Sequence, residues 1–482
     1  MSRIHSNIPA LQSIHRLQRN YQDLTTRLER LATGLRINRG ADDPAGLIAS
    51  ERLRLEIRGI GQAIDNSGRA SNVITVVEGA LAEANALLLD LQALIVQSAN
   101  EAALSDEEVR ANQLQIDSIL ASLDRIANTT SFAGKKLLDG SQAYLTSDTP
   151  ADALPSIQLF SVRVPESGPR SVRVEVAQSA QAAELTFTGT NPSGSSTTSA
   201  STIVLRGTLG TEVLTFASGA SLDEIAEAIN NVVTSTGVSA VVSGPGGVAS
   251  ALVLASTTLG ETAFVSVSPI SGNFVESDNE NTELREDGIE AIVLVDGQQA
   301  SVRGLEVNVR SGGLDASFIM SRDFAQVLSS AEFFIRGGGS LFQITPQVTP
   351  NGQIHVGLNA ISTTELGDPV TGRLYSLRSG AENQLTSGNF LTAQDIVAEA
   401  ISQVAFSRGR LGNIQKNQIE TNINSQRVAL ENVTASESVI RDADMAEEVS
   451  NLTRAQILVQ STQATLQIAN AVPNFVLSLL GV

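Results

Sequence analysis

The final stretch, Met445 to Val482, restricts the possible folds more than any other part of the chain. Met445, Val449, Leu452, Val459 and Leu466 recur at helical spacing, Gln456 and Gln463 occupy the skipped heptad positions, and no charged residue follows Arg454. Ordering such a segment costs roughly 1–2 kcal/mol per residue in backbone entropy, and each fully buried large apolar side chain returns only about 1.5–3 kcal/mol. A helix of this kind therefore needs neighbours on several sides, either a membrane or other helices. A spanning helix is the poorer fit, because Gln456, Gln460, Ser461, Thr462, Gln463, Thr465, Gln467 and Asn470 interrupt the run before Pro473 would disturb it.

The other end of the chain carries a matching stripe. Leu11, Ile14, Leu17, Tyr21, Leu24, Leu28, Leu31 and Leu35 step by threes and fours, giving one apolar face over about seven turns, roughly 36 Å. Charge favours a meeting of the two ends: residues 1–60 hold ten arginines against six carboxylates, and Val433–Val482 holds five carboxylates against two arginines. Exposed ion pairs contribute little, so burial of the stripes must carry the pairing.

Gly34 and Gly40 break the first stripe. Asp42-Asp43-Pro44 then reads as a helix start, with Asp43 as N-cap and Pro44 at the first helical position, rather than as a catalytic carboxylate pair. From Pro44 the apolar spacing continues to about Asn100, a length that indicates a rod. Ser105-Asp106-Glu107-Glu108 is a capping box that opens a second helix carried by Ile116, Leu120 and Leu123. A long helix returns near the other end, with Thr392 as its expected N-cap, and runs to about Ser436. Asp444, with Glu447 three residues on, is expected to cap the last helix.

Between about Tyr144 and Leu385 the pattern changes to short period-two runs such as Val172 to Val176, separated by Gly, Ser, Thr and Pro. Val213 to Phe216, a helix capped by Ser221, and strands at Val238 to Ser243 and Ala251 to Ser256 form a β-α-β-β module. Gly189 to Thr202 is a polar linker whose hydroxyls would suit O-glycosylation if exposed outside a cell. Gly337-Gly338-Gly339 lacks the lysine of a phosphate loop and reads as a turn.

Composition narrows the chemistry. A net charge of −19 disfavours nucleic acid as a partner, and the absence of cysteine excludes disulfides and thiolate metal sites. His5, His15 and His355 are the only histidines, and no two lie four apart as a zinc-protease helix requires. Neither a nucleophile elbow nor a Walker loop is present, so no enzyme, metal or cofactor is expected. The first twenty residues are punctuated by Arg3, Arg16 and Arg19 and contain no secretory h-region.

The chain resembles bacterial flagellin at both ends. The resemblance rests on Leu28-Glu29-Arg30-Leu31-Ala32-Thr33-Gly34-Leu35-Arg36-Ile37-Asn38, Ala41-Asp42-Asp43-Pro44-Ala45-Gly46-Leu47 and Val96-Gln97-Ser98-Ala99-Asn100. It continues with Ala435 to Glu448, Gln460 to Ala464 and the closing Leu477 to Gly481. The module around Phe216 to Asn230 resembles the short IN motif of flagellins and hook proteins.

The resemblance implies an α plus β multidomain fold, with paired helical coiled-coil termini and a β-rich variable central insertion. Its expected parts are an inner coiled-coil helix at 1–40 and the N-terminal part of a rod domain at 41–143. An outer region follows at 144–390, with the IN-like module at about 200–270; the second rod helix spans 391–440 and the inner C-terminal helix 441–482. It further implies a self-assembling filament subunit, exported by the flagellar type III apparatus without a cleaved signal. Leu11, Leu17, Leu24, Leu28, Leu31, Met445, Val449, Leu452, Val459 and Leu466 are then the expected assembly contacts. The implied partners are other copies of the chain, hook-associated junction proteins, the filament cap and a cytoplasmic export chaperone for the C-terminus, with no membrane insertion. A hook–filament junction protein is the alternative; the long C-terminal match is closer to filament subunits. Leu88 to Asn100 is similar to a helix read by an innate immune receptor, but Asp90 stands where an arginine is usual. A charge reversal there predicts weak receptor activation.

Overall fold

The computed structural model describes residues 7–100, 104–165, 168–188, 200–243, 251–272, 284–311 and 313–479, with side chains through Val472. The proposed glycosylation linker, apart from its last few residues, His5 and the side chains of Leu477 to Gly481 lie outside the described residues. In chain order the helices are α1 (Ile8–Thr33), α2 (Pro44–Ser98), α3 (Asp106–Thr129), α4 (Leu222–Asn230), α5 (Val233–Thr236), α6 (Arg322–Ala325), α7 (Phe390–Asn413), α8 (Thr421–Arg441) and α9 (Met445–Leu479). The chain separates into two compact units, one of Met1–Ser71, Gln343–Gln353 and Ile414–Val482, the other of Asn72–Phe342 and Ile354–Asn413.

The rod expected after Pro44 is a single helix of 55 residues. By length and composition α2 would also suffice to cross a membrane. From Ile60 onward, however, its buried residues are Ile60, Ala63, Ser67, Ala70, Ile74, Val77, Leu81, Ala84, Leu88, Leu91, Ile95 and Ser98. They alternate at three and four residues, the heptad line of a helix packed against helices. In the second unit α3 answers with Gln113, Ile116, Leu120, Leu123 and Ala127. Polar pins fix this packing: the Asn112 amide donates to Ser98 Oγ at 2.9 Å, and Gln113 donates to the Leu377 carbonyl and accepts from the Leu385 amide, each at 2.8 Å.

Two expectations about the helices need correction. Thr392 is not an N-cap: α7 begins at Phe390, and the Ala393 amide already donates to the Asn389 carbonyl at 3.0 Å. The helix after Thr392 is not uniformly α, since Ile414–Glu420 winds as a π-helix between α7 and α8. The buried Ile414 and Ile419 stand five residues apart, and one wide turn absorbs the extra residue and keeps both on the packed side. The last helix, α9, runs through Pro473 to Leu479.

The β-rich region of the second unit has two apolar cores. In the first, a five-stranded sheet ordered 298–299, 292–295, 170–178, 330–338, 144–147 and a four-stranded sheet ordered 301–303, 306–311, 314–319, 156–162 contribute Val172, Val174, Val293, Val307, Phe318 and Phe333. Phe318 and Phe333 meet edge to face at 5.8 Å. The second core places Ile225 and Ile229 of α4 with Ile203, Leu205, Leu252 and Val265 of a four-stranded and a three-stranded sheet. Ser221 caps α4 through a reciprocal capping box with Glu224. The triple glycine is not a simple turn, because Gly337 and Gly338 end the strand Ser330–Gly338 at a register shift against Tyr144 and Leu145. Gly338 has φ +96°, and a Cβ there would lie 2.4 Å from the Ala143 carbonyl oxygen, so only glycine fits the bulge.

Candidate assembly interface

The two terminal helices lie in the same unit and run antiparallel. Asn7 starts α1 by accepting from the Ala10 amide at 3.1 Å, and its own amide donates to the Ala469 carbonyl at 2.8 Å. Midway, Asn20 Nδ2 donates to the Leu458 carbonyl and to Thr462 Oγ1, both at 3.2 Å. At the far end Gly34, in the left-handed region at φ 74°, terminates α1 and donates its N–H to Arg30. The chain then pairs as an extended segment, with the Ala443 amide donating to Gly34 at 2.9 Å and the Arg36 amide to Arg441 at 2.7 Å. Leu35, expected in the stripe, lies in this bridge opposite Asp442.

The seam has heptad spacing on both helices. On α1 it follows Ala10, Ser13, Leu17, Asn20, Leu24, Arg27 and Leu31; on α9 it follows Glu448, Leu452, Ala455, Val459, Thr462, Leu466 and Ala469. All are buried or half-buried. Glu448 is 6% exposed and holds both Arg27 and Arg30 at 3.1 Å. The expected contacts thus divide into two sets. Leu17, Leu24, Leu31, Leu452, Val459 and Leu466 occupy the seam of the pair. Leu11 (55% exposed), Leu28 (50%), Met445 (49%) and Val449 (52%) face outward, with Ile8, Ile14, Tyr21, Ile457, Leu458 and Ile468 also exposed. Heptad spacing identifies the seam, but small and polar members such as Ala10, Asn20, Glu448 and Ala455 give no hydrophobic signal.

The expected caps are placed as follows. Asp43 Oδ1 accepts from the Gly46 amide at 2.8 Å at the start of α2. Ser105 and Glu108 form the reciprocal box on α3. Asp444 Oδ1 accepts from the Ala446 and Glu447 amides at 2.9 and 3.1 Å. Asp42 closes the turn before α2; the Arg39 amide, with that of Asn38 beside it, holds its carboxyl below the usual carboxylate range. These carboxylates terminate helices and turns. Among the described residues no group of three or more acidic or imidazole side chains is arranged to hold a metal ion.

The chain is similar to known proteins at both ends and in the module between them. The bacterial flagellin N-terminal helical region matches residues 4–143, the bacterial flagellin C-terminal helical region matches 394–480, and the flagellin hook IN motif matches 202–258. Flagellin of Clostridium tyrobutyricum is 28% identical over 468 residues, covering 97% of this chain and 98% of that one. Flagellin B of Helicobacter pylori is 27% identical over 527 residues, 99% of each. Flagellin of Bacillus subtilis is 36% identical over 190 residues, 38% of this chain and 62% of that one. Among solved structures, flagellar hook associated protein-3 from Legionella pneumophila aligns over 80% of this chain and 97% of its own at 15% identity and a TM-score of 0.30, too loose a likeness to inform the fold. With both terminal helical regions matched and flagellin relatives aligned along nearly its whole length, the chain belongs to the bacterial flagellin family, the structural subunits of the flagellar filament.

Proposed function

We propose that this subunit polymerises by burying, against further copies of itself, the apolar side chains that the α1–α9 pair leaves in water. The observation that carries this reading is the line Leu11, Ile14, Tyr21 and Leu28 on α1 with Met445, Val449, Ile457 and Ile468 on α9, all exposed beside a seam that is already filled. Each large apolar side chain so covered contributes about 1.5–3 kcal/mol, and the sum offsets the cost of ordering the ends. A second copy meets the same face through non-identical surfaces, the kind of contact that repeats without closing and yields a filament.

Under this reading residues 1–40 and 441–482 form the inner part of the filament, 41–143 with 391–440 the rod, and 144–390 the outward region. Hook-associated junction proteins and a filament cap are partners at its two ends, a chaperone guards the C-terminal segment before export, and export proceeds without a cleaved leader. Catalysis has no role in it. Asp90 is exposed on α2, where its carboxylate would oppose an immune receptor that selects an arginine. The test is deletion of Ala455 to Val482, which is expected to leave a soluble, folded protein that forms no filaments. Filaments of normal form from that protein would refute the proposal.

A further inference from the structure

The apolar rungs between α1 and α9 do not by themselves define how the helices align. Leu17, Leu24 and Leu31 repeat every seven residues, as do Leu452, Val459 and Leu466. Sliding one helix past the other by a heptad therefore exchanges one large aliphatic contact for another. The second line of the seam has no such repeat: Ser13, Asn20 and Arg27 on one helix, Glu448, Ala455, Thr462 and Ala469 on the other. Within that line Glu448 is the one carboxylate, it is 6% exposed, and both of its oxygens are bound. Arg27 reaches Oε1 and Oε2 at 3.1 Å, and Arg30 reaches Oε1 at 3.1 Å.

We propose that Glu448, clamped by Arg27 and Arg30, is the charged contact that selects the register of the terminal helix pair, beside the hydrogen bonds of Asn7 and Asn20 and the backbone pairing at Gly34 and Arg36. A one-heptad slip in one direction places Arg27 opposite Ala455, and in the other opposite Arg441. In either case Glu448 leaves both arginines and its buried charge loses its counter-ions. A buried charge without a partner costs far more than the pair gains, so the cluster acts chiefly against wrong alignments. A single buried polar group that selects register at some cost in stability is a known device of coiled coils. The inference concerns pairing within one chain and holds whether or not the pair goes on to polymerise.

Because the chain has no cysteine, a Gln12→Cys, Ser450→Cys background accepts two spin labels at exposed positions on α1 and α9. A one-heptad slip moves them by about 10 Å relative to each other. The otherwise unaltered chain is expected to show one narrow distance distribution. Glu448→Gln, similar in size but uncharged, is expected to add a population displaced by about 10 Å or to broaden the distribution by that amount. The decisive arm is the charge exchange Glu448→Arg with Arg27→Glu and Arg30→Glu, which is expected to return the original single distance. An unchanged narrow distance in Glu448→Gln, or failure of the exchanged chain to recover it, would overturn the proposal.

Discussion

The guanidinium carbon of Arg410 lies 3.8 Å from the ring centroid of Phe160 and 4.3 Å from that of Phe406, while Asp315 accepts a hydrogen bond from its Nη1. One side chain on α7 thus joins strands 156–162 and 314–319 through stacking and an ion pair together. Arg410 is 8% exposed, and burial pushes its ionisation down to about 10. Replacing Arg410 by Ala leaves Asp315 partly buried beside Arg310, at 3.5 Å. We expect a loss of about 2–4 kcal/mol in denaturant unfolding. Lys, which keeps the charge but not the planar stack, should lose less, about 1–2 kcal/mol. Equal stability of all three chains would show that the cluster holds nothing.

Tyr144 supplies a pH dependence with a definite sign. Its hydroxyl accepts from the Val162 amide at 2.8 Å and is buried, and desolvation raises its ionisation from 10.0 to about 12. A raised folded value means that the contribution is complete below pH 10 and is lost as pH climbs from about 10 through 12. The loss attributable to this group is about 3 kcal/mol at most. Tyr144→Phe should therefore be less stable at neutral pH by about 1–2 kcal/mol, through the orphaned Val162 amide, and the gap should close above pH 10. Unfolding curves of the two chains at pH 7 to 12 check this.

The helix caps predict unequal responses to the same substitution. Ser105→Ala and Asp444→Ala each remove an acceptor from N-terminal amides and should cost about 1 kcal/mol. Thr392→Ala, inside the first turn of α7, should change stability by less than about 0.5 kcal/mol. Thermal melts of the three variants distinguish the observed helix start at Phe390 from a start capped by Thr392.

The π-turn predicts the effect of a deletion. Removing the exposed Asn417 brings Ile414 and Ile419 to four-residue spacing, so α7 and α8 can join as one α-helix without turning either isoleucine outward. Amide exchange across 414–420 should slow by roughly tenfold in the shortened chain. Faster exchange there would mean that the wide turn is itself the better-packed conformation.

Long helices announce themselves by period, and α2 and the two terminal stripes were legible in that way. The stripe residues Leu17 and Leu28 look equivalent in sequence, yet one fills the seam and the other faces water; only the partner helix decides which. Glu448 was invisible as a contact because an acidic residue in a first helical turn is satisfied locally in most helices. Arg410 and Asp315 lie 95 residues apart, and no local pattern links them. The π-turn was written in the five-residue step from Ile414 to Ile419, which a continuous apolar run conceals. Thr392 satisfied the composition rule for a cap, but Asn389 stood three residues earlier at the position the backbone used.

If polymerisation covers the outward apolar line of the α1–α9 pair, a single charge placed on that line abolishes it. Leu28 is 50% exposed and lies off the seam, so Leu28→Glu should leave helix content and melting temperature close to those of the parent. Electron microscopy of the purified variant under polymerising conditions is the measurement. A folded, soluble protein without filaments is the expected result. Normal filaments from Leu28→Glu would contradict it.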